Sequence, residues 1–198
     1  MGRWQPDARD RLERAAREPF REHGFDQVTV PDITARAGLT TRTFHRHFAD
    51  KREVLFADAD RMPILATRLV VDAPAELGPM DVVAHGLPAL ATTAFDGRIE
   101  QIQHRGAVID GHDGLREREL RQMERLVAAI TDAFRHRGVD DLTAAVVAEA
   151  AVVLVKVSLR RWLDADGTEP LGAMTDSLTR MSNAFADAGS PATSGRSE

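Results

Sequence analysis

Cysteine is absent from the 198 residues of this chain. Its absence excludes a disulfide framework, a thiolate nucleophile and a cysteine-ligated zinc site. Aromatic residues make up only 5% of the chain, which weakens any argument for a flat aromatic ligand. The sequence also lacks a glycine-rich phosphate loop and a nucleophile elbow, so neither nucleotide binding nor serine hydrolysis is indicated. We predict no cofactor and no enzymatic activity.

An apolar leader is lacking too, since residues 1–21 are dense in charge. We therefore expect no secretion signal. The most apolar stretch, residues 144–157, is interrupted by Glu149 and Lys156 and is too short to span a bilayer. These features predict a cytoplasmic protein with no membrane partner.

Basic residues are in the minority, and the net charge of −5 at first argues against nucleic acid. The distribution of charge is more informative than the sum. Residues 1–56 carry 11 basic and 9 acidic residues, a net of +2, whereas the remainder carries 15 and 22, a net of −7. Only the N-terminal quarter therefore favours a nucleic-acid site.

Strand-like alternation is missing, and every long segment has helical periodicity. We predict an all-α fold of roughly nine helices: an N-terminal three-helix helix-turn-helix domain over residues 1–50, a ligand-binding and dimerisation domain over 51–188, and a disordered tail over 189–198. The predicted helices cover residues 7–23, 29–37, 40–48, 80–95, 98–110, 115–137, 141–163 and 171–187. The fourth helix is predicted to begin at residue 50 and to bend near Pro63, ahead of a loop over 72–79.

Helix boundaries are marked by capping residues and glycines. Thr29 and Asp32 have the spacing of a capping box, as do Asp50 and Glu53. Gly38 is a turn residue between two short helices. Two prolines interrupt the pattern: Pro19 predicts a kink in the first helix, and Pro63 predicts a bend in the fourth.

Two short helices around Gly38 have the arrangement of a helix-turn-helix, which places its second helix in the DNA major groove. The apolar positions that pack these helices together are Ile33, Ala37, Leu39, Phe44 and Phe48. This leaves an outward face of hydrogen-bond donors with no acidic residue: Thr40, Thr41, Arg42, His45, Arg46 and His47. The alternative is that the cluster is only a packing module.

The span from about residue 11 to residue 56 closely resembles the DNA-binding region of the tetracycline-repressor (TetR) family. The matching residues are Ala15-Ala16, Phe20, Gly24-Phe25, Thr29, Ile33, Ala37-Gly38-Leu39, Thr40, Thr43-Phe44, His47-Phe48, Lys51 and Leu55. The resemblance implies a sequence-specific transcriptional regulator that binds palindromic operator DNA as a homodimer and responds to a small-molecule effector. We expect a repressor that is released from its operator when a small-molecule ligand binds.

The resemblance also implies roles for individual residues. Thr29, His47 and Lys51 match phosphate contacts of the family, and Thr40 and Thr41 begin the recognition helix. Arg42 stands where the family often has glycine, and an arginine there reaches O6 and N7 of guanine in a bidentate contact. His45 stands where the family usually has tyrosine, and with Arg46 it completes the predicted DNA-binding set.

The last two helices carry unpartnered apolar surface. Residues 144–157 are apolar on nearly every face, and the final helix has apolar residues at alternating steps of three and four. Since the family pairs these helices between subunits, the predicted dimer interface is Val147, Leu154, Leu171, Met174, Leu178, Met181 and Phe185. The alternative is that both helices pack within one subunit.

A ligand pocket is predicted between the middle helices. Its candidate lining residues are Met62, Leu65, His85, Phe95, Ile102, His104, Arg105 and Met123, although each also suits an ordinary core or surface position. His45 and His47 are two residues apart and point in different directions on a helix, so we predict no metal site. A helical carrier that has lost DNA binding and a helical-bundle enzyme are the alternatives to a regulator.

Overall fold

The computed structural model of the chain describes residues 7–57, 60–164 and 170–189, with side chains up to Asn183. All regular structure in these residues is helical, which confirms the all-α fold. Its elements are α1 (Ala8–Gln27), α2 (Val30–Ala37), α3 (Thr41–His47), α4 (Lys51–Leu55), α5 (Arg61–Val71), α6 (Pro79–Leu90), a π-helical turn (Ala91–Phe95), α7 (Ile99–Asp110), α8 (Asp113–His136), α9 (Asp141–Asp164) and α10 (Pro170–Gly189). Residues 190–198 of the predicted tail lie outside the described residues.

The chain forms two compact units. The first contains residues up to Ile64 together with Arg98–Arg125, and the second contains Leu65–Gly97 together with the residues from Leu126 onward. The predicted second domain included residues 98–125, yet Ile109 and Leu115 belong to the apolar core of the N-terminal helices. The domain boundary at residue 50 stays a prediction.

The core of the first unit fixes α2 against α3. Ile33 and Phe44 are fully buried, and the Phe44 ring lies 5.5 Å from that of Phe48. Burying a side chain of this size contributes about 1.5–3 kcal/mol. The apolar set of the predicted helix-turn-helix is therefore the packing core, and the polar positions of α3 are left outside it.

The first helix does not break at its proline. Helical backbone angles continue through Pro19, which is buried, and the one interior residue with non-helical angles is Gly24 (φ 74°, ψ 169°). A positive φ is accessible to glycine because it has no Cβ. The predicted end of the helix near residue 23 therefore corresponds to a sharp change of direction at Gly24, followed by one more helical turn to Gln27.

The predicted fourth helix is in fact two helices. α4 ends at Leu55, and α5 begins at Arg61. Pro63 lies in the first turn of α5, where a missing backbone N–H leaves no helical hydrogen bond unmade. The prediction of one helix bending at Pro63 was wrong, because the proline starts a helix here instead of bending one.

In the second unit, α9 packs against α10, and both pack against α6. The unit begins with the end of α5 and is closed by Arg137, whose guanidinium donates to the carbonyls of Val70 (3.1 Å), Ala73 (2.6 Å) and Pro74 (2.6 Å). α8 ends as predicted at Gly138 (φ 85°), where the amide of Val139 donates to the carbonyl of Phe134 in a Schellman motif.

The sequence predicted that α9 is buried on all sides, and within one chain it is not. Val147 and Leu154 are buried, but Leu142 (74%), Val146 (58%), Val153 (53%) and Val157 (47%) are exposed. Among the described helices, α9 is also the one long and apolar enough to cross a membrane by length and composition. Core helices meet the same criterion, so it does not by itself indicate a membrane protein.

Candidate DNA-binding surface

The predicted recognition helix α3 is positioned by the glycine that ends α2 and by its own N-terminal cap. α2 ends at Gly38 in the left-handed conformation (φ 63°), and its amide donates to the carbonyls of Ala35 and Thr34. Thr40 then caps α3, because its hydroxyl accepts from the Thr43 amide at 3.1 Å and lies 3.0 Å from the Thr43 hydroxyl. The turn and the cap fix the direction in which α3 leaves α2.

One face of α3 is exposed and rich in donors. Thr41, Arg42, His45 and Arg46 are exposed, while His47 is half-buried. An open recess of about 430 Å³ on this face is lined by Arg42, Thr43, His45 and Arg46. The structure therefore brings the predicted α3 residues together on one surface.

The charges of this face are not neutralised locally. Within the described part of the chain, no ion pair involves Arg42 or Arg46, and the nearest polar contact is 3.5 Å from an Arg46 guanidinium nitrogen to Nε2 of His47. His45 rests edge-on against the Phe44 ring, at 5.4 Å between centroids. A surface with these properties attracts polyanions and offers donors to phosphates and base edges.

Lys51 does not fit its predicted role as a phosphate contact. Its ammonium donates to the carbonyls of Phe25 (2.7 Å), Asp26 (3.2 Å) and Val28 (3.0 Å), and it lies 4.3 Å from the centre of the Phe25 ring. A lysine has three donors, and all three are used here. In this structure Lys51 joins the start of α4 to the connection between α1 and α2.

Thr29 is likewise occupied by the helix it caps. Its hydroxyl is 2.6 Å and its backbone amide 2.8 Å from Oδ2 of Asp32, which completes the predicted capping box. The hydrogen bond from the Thr29 side chain, and then the one from its amide, lower the pKa of Asp32. An ionised carboxylate therefore stands at the α2 N-terminus, where an anion such as phosphate would bind.

The Asp32 cap predicts an acid-sensitive step in stability. Because the folded-state pKa is lowered, the contribution of Asp32 is complete above its unfolded-state pKa of about 3.9 and is lost as the pH falls through the folded value. We expect the melting temperature to fall below about pH 4, and Asp32→Asn to reduce that dependence. Asp72→Asn, a change of an exposed loop carboxylate, is the control. Equal acid sensitivity of Asp32→Asn and Asp72→Asn would contradict this assignment.

A family model described as bacterial regulatory proteins, tetR family, matches residues 13–57, which contain most of α1 and all of α2, α3 and α4. Helices α1 to α4 of this chain are therefore similar to the tetR family of bacterial regulatory proteins. A curated relative, the HTH-type transcriptional regulator TcmR of Streptomyces glaucescens, is 30% identical over 94 residues. That region is 48% of this chain and 42% of TcmR, so the match spans less than half of the relative's length.

Solved structures of other proteins have the same fold over nearly the whole chain. A putative TetR-family regulator from Syntrophomonas wolfei aligns with a TM-score of 0.66 at 13% identity, over 94% of this chain and 98% of that one. The SmeT–triclosan complex aligns with a TM-score of 0.58 at 18% identity, over 96% and 98%. FadR from Thermus thermophilus, in complex with lauroyl-CoA, aligns with a TM-score of 0.56 at 22% identity, over 94% and 100%. At these identities the likeness shows the fold.

Two arginines of α1 support this helix-turn-helix and were not predicted from the sequence. Arg11 donates to the carbonyl of Ala37 at 2.6 Å, at the end of α2. Arg9 donates to the carbonyl of Ala57 at 2.8 Å and lies 5.1 Å from the Phe48 ring centre. These contacts join residues 26 and 48 positions apart, and no local spacing pattern signals them.

The predicted ligand-pocket residues occupy different environments. His85 is exposed, and Phe95 is buried with its ring 6.3 Å from that of Trp162. The others are half-buried: Met62, Leu65, Ile102, His104, Arg105 and Met123. They fall in both compact units, with Leu65, His85 and Phe95 in the second. Among the described residues, no group of three potential metal ligands is present.

Arg105 has a structural role in the first unit. Its guanidinium makes a bidentate contact with Glu119 (3.2 and 2.7 Å) and lies 5.0 Å from the Phe56 ring centre. The guanidinium of Arg118 lies 5.3 Å from the same ring, and Phe56 itself is buried. Arg105 of α7 and Arg118 of α8 therefore both lie against Phe56, the residue that directly follows α4.

The predicted dimer-interface residues are divided between interior and surface. Val147, Leu154 and Met174 are buried inside the second unit, which favours the alternative of packing within one subunit for these three. Leu171 is exposed, Leu178 and Met181 are half-buried, and the side chain of Phe185 lies outside the described residues. The exposed apolar residues of α9 were missed, because a helix apolar on every face gives no signal of which stripe points inward.

Proposed function

We propose that this protein is a transcriptional regulator, a homodimeric repressor that binds a palindromic operator through α3 and leaves it when a small molecule binds. The observation that carries the proposal is the exposed, acid-free face of α3, on which Arg42, His45 and Arg46 line one recess. Relatives that match the chain are transcriptional regulators, which supports the same function.

Within this proposal, Arg42 contacts a base and its neighbours contact the backbone. Arginine binds guanine through two parallel hydrogen bonds in the major groove, and Arg42 is exposed near the start of α3. Thr41, His45, Arg46 and His47 then contact phosphates or base edges, while Thr40 acts mainly as the cap. Lys51 and Thr29 support this surface and do not form part of it.

The proposal is tested by selecting DNA sites from a random-sequence pool with the full-length protein and titrating the best site over a salt series. A regulator of this kind yields a palindromic site and an affinity that falls steeply with salt, because phosphate contacts release counterions. Selection that returns no enriched sequence overturns operator recognition. In that case a helical carrier and a helical-bundle enzyme are the remaining candidates.

The exposed stripe of α9 is the proposed surface for a second copy of the chain. Leu142, Val146, Val153 and Val157 repeat at helical spacing on one face, and exposed Glu149 and Lys156 lie in the same stripe. Glu149 precedes Val153 by four residues and Lys156 follows it by three. In an antiparallel pair centred near Val153, each Glu149 therefore meets Lys156 of the partner, so the stripe is complementary to itself.

This interface predicts the effect of charge reversal on oligomeric state. We expect Val153→Lys to produce monomers, because it places two like charges at the centre of the pair. Glu149→Lys weakens the dimer, and Glu149→Lys combined with Lys156→Glu restores it. Sedimentation velocity measures both effects, with Leu120→Lys, at an exposed leucine of α8, as the control. A dimer that persists in Val153→Lys and Glu149→Lys excludes this surface.

We propose a small-molecule effector with an apolar part, since structures with this fold hold triclosan and lauroyl-CoA. Half-buried Met62, Ile102, His104 and Met123 of the first unit remain its candidate contacts. In the first unit, Arg105 of α7 donates to the carbonyl of Leu55 at 3.4 Å, and Arg118 of α8 lies near Glu53 of α4. An effector that moves α7 or α8 would therefore move α4, the helix that directly follows α3. If the effector binds the DNA-free conformation more tightly than the DNA-bound one, it shifts the protein away from the operator.

A further inference from the structure

Phe25 and Asp26 are contacted by two side chains from outside α1. Lys51 binds their main-chain carbonyls, as described above, and His112 contacts their side chains. The His112 ring meets the Phe25 ring edge-on at 5.1 Å and 74°, and its Nε2 is 3.4 Å from Oδ1 of Asp26. These two residues, called here the Phe25–Asp26 pair, therefore connect Lys51 to the turn between α7 and α8.

His112 is fixed at the start of α8. Its carbonyl accepts from the amides of Leu115 (3.0 Å) and Arg116 (3.1 Å) in the first turn of that helix. Nδ1 is buried and has no hydrogen-bond partner within the described part of the chain. The side-chain polar contact of His112 is thus directed to the Phe25–Asp26 pair.

Gly114 leaves room for the His112 ring. A Cβ at Gly114 would lie 3.3 Å from Cε1 and 3.5 Å from Nδ1 of the ring, so a side chain there would push the ring by a few tenths of an ångström. Glycine within a helix costs about 1 kcal/mol relative to alanine. An alanine at this position would stabilise α8 but would press on the ring.

We propose that His112 is a positioning residue for DNA binding, acting through the Phe25–Asp26 pair and Lys51 on the end of the recognition helix. Lys51 begins α4 four residues after His47, the last residue of α3, so the segment that His112 holds also anchors the chain that leaves α3. His112 makes none of the proposed DNA contacts. The proposal rests on the proposed function, since operator affinity is its readout.

The test compares three variants of the full-length protein on the selected operator. We expect His112→Ala to weaken operator binding by roughly two- to thirty-fold, the range by which residues outside the binding site modulate affinity, while the salt slope stays unchanged because no phosphate contact is lost. Gly114→Ala is expected to weaken binding although its melting temperature does not fall. Gly106→Ala is the matched control, because a Cβ at that α7 position meets nothing within 4 Å.

A double-mutant cycle separates positioning from general stability. In the His112→Ala background, Gly114→Ala should have no further effect on operator affinity, since the ring on which it acts is gone. The proposal is overturned if Gly114→Ala binds the operator as tightly as Gly106→Ala. It is also overturned if the effects of His112→Ala and Gly114→Ala on operator affinity add. If the wild-type protein selects no operator at all, the proposed function fails before this comparison is reached, so the two failures are distinguishable.

Discussion

Replacing Arg42 by alanine is expected to remove base discrimination at one base pair of each operator half-site while leaving the fold intact. A bidentate arginine–guanine contact contributes about 1–3 kcal/mol of discrimination, and a dimer makes it in both half-sites, so the loss for the whole operator is about 2–6 kcal/mol. Arg42 is exposed, and no hydrogen bond or ion pair ties it to the rest of the described structure. Its removal should therefore not change the melting temperature.

Binding should be measured on the selected operator and on operators altered at each base pair. Arg42→Ala should lose its preference at one base pair of each half-site and keep the preferences at the others. Arg46→Ala is the matched control on the same helix face: as a phosphate contact it should weaken all sequences alike and reduce the salt slope by about one per subunit. If Arg42→Ala weakens every sequence equally, Arg42 contacts the backbone and the base contact lies elsewhere on α3.

Arg42→Lys sharpens this test. Lysine keeps the positive charge but presents a single ammonium, so it cannot reproduce the planar fork that matches guanine O6 and N7. We expect Arg42→Lys to retain the salt slope of the wild type and to lose most of the base discrimination. Full recovery of specificity by lysine would show that charge alone explains the role of position 42.

The local structure around the recognition helix could be predicted because its signals lie within a few residues of each other. Thr29 and Asp32 are three apart, and both form the capping box that this spacing indicates. Gly38 takes the left-handed conformation that ends α2. The predicted start of α3 at Thr40 is confirmed by its cap. Such signals concern single turns, where side chain and backbone interact directly.

The contacts that support the site could not be predicted because they join distant parts of the chain. Arg11 caps α2 across 26 positions, and Arg105 contacts the end of α4 across 50. An exposed arginine and an arginine that caps a remote helix look alike in sequence. For the same reason the assignment of Arg105 to a ligand pocket did not anticipate its pairing with Glu119.

Helical periodicity was also insufficient to orient α9. Val146 and Val147 are adjacent and equally apolar, yet the first is exposed and the second is buried. Periodicity shows that a face is apolar, but a helix that is apolar all round has no polar face to set its rotation. The π-helical turn at Ala91–Phe95 was missed because it continues the apolar pattern of α6 without any change in composition.

Replacing Lys51 by methionine is expected to destabilise the DNA-binding region without removing a DNA contact. The change keeps the aliphatic stem and removes an ammonium that serves the carbonyls of Phe25, Asp26 and Val28. Hydrogen bonds to charged groups contribute about 1.5–3 kcal/mol each, but these three share one half-buried donor group, so we expect a net loss of about 3 kcal/mol in the free energy of unfolding.

Urea unfolding and a salt series on the operator distinguish the two roles that Lys51 could have. If Lys51 is the structural link seen here, the unfolding midpoint falls in Lys51→Met, and the salt slope of operator binding matches the wild type under conditions where both are folded. If it is instead a phosphate contact, as the family resemblance implies, the midpoint changes little and the slope falls by about one per subunit. Arg52→Met is the control, since its exposed pair with Asp50 contributes about 0–1 kcal/mol. Because the ammonium cannot donate to three carbonyls and a phosphate at once, Lys51→Met should change either the unfolding midpoint or the salt slope of operator binding, but not both.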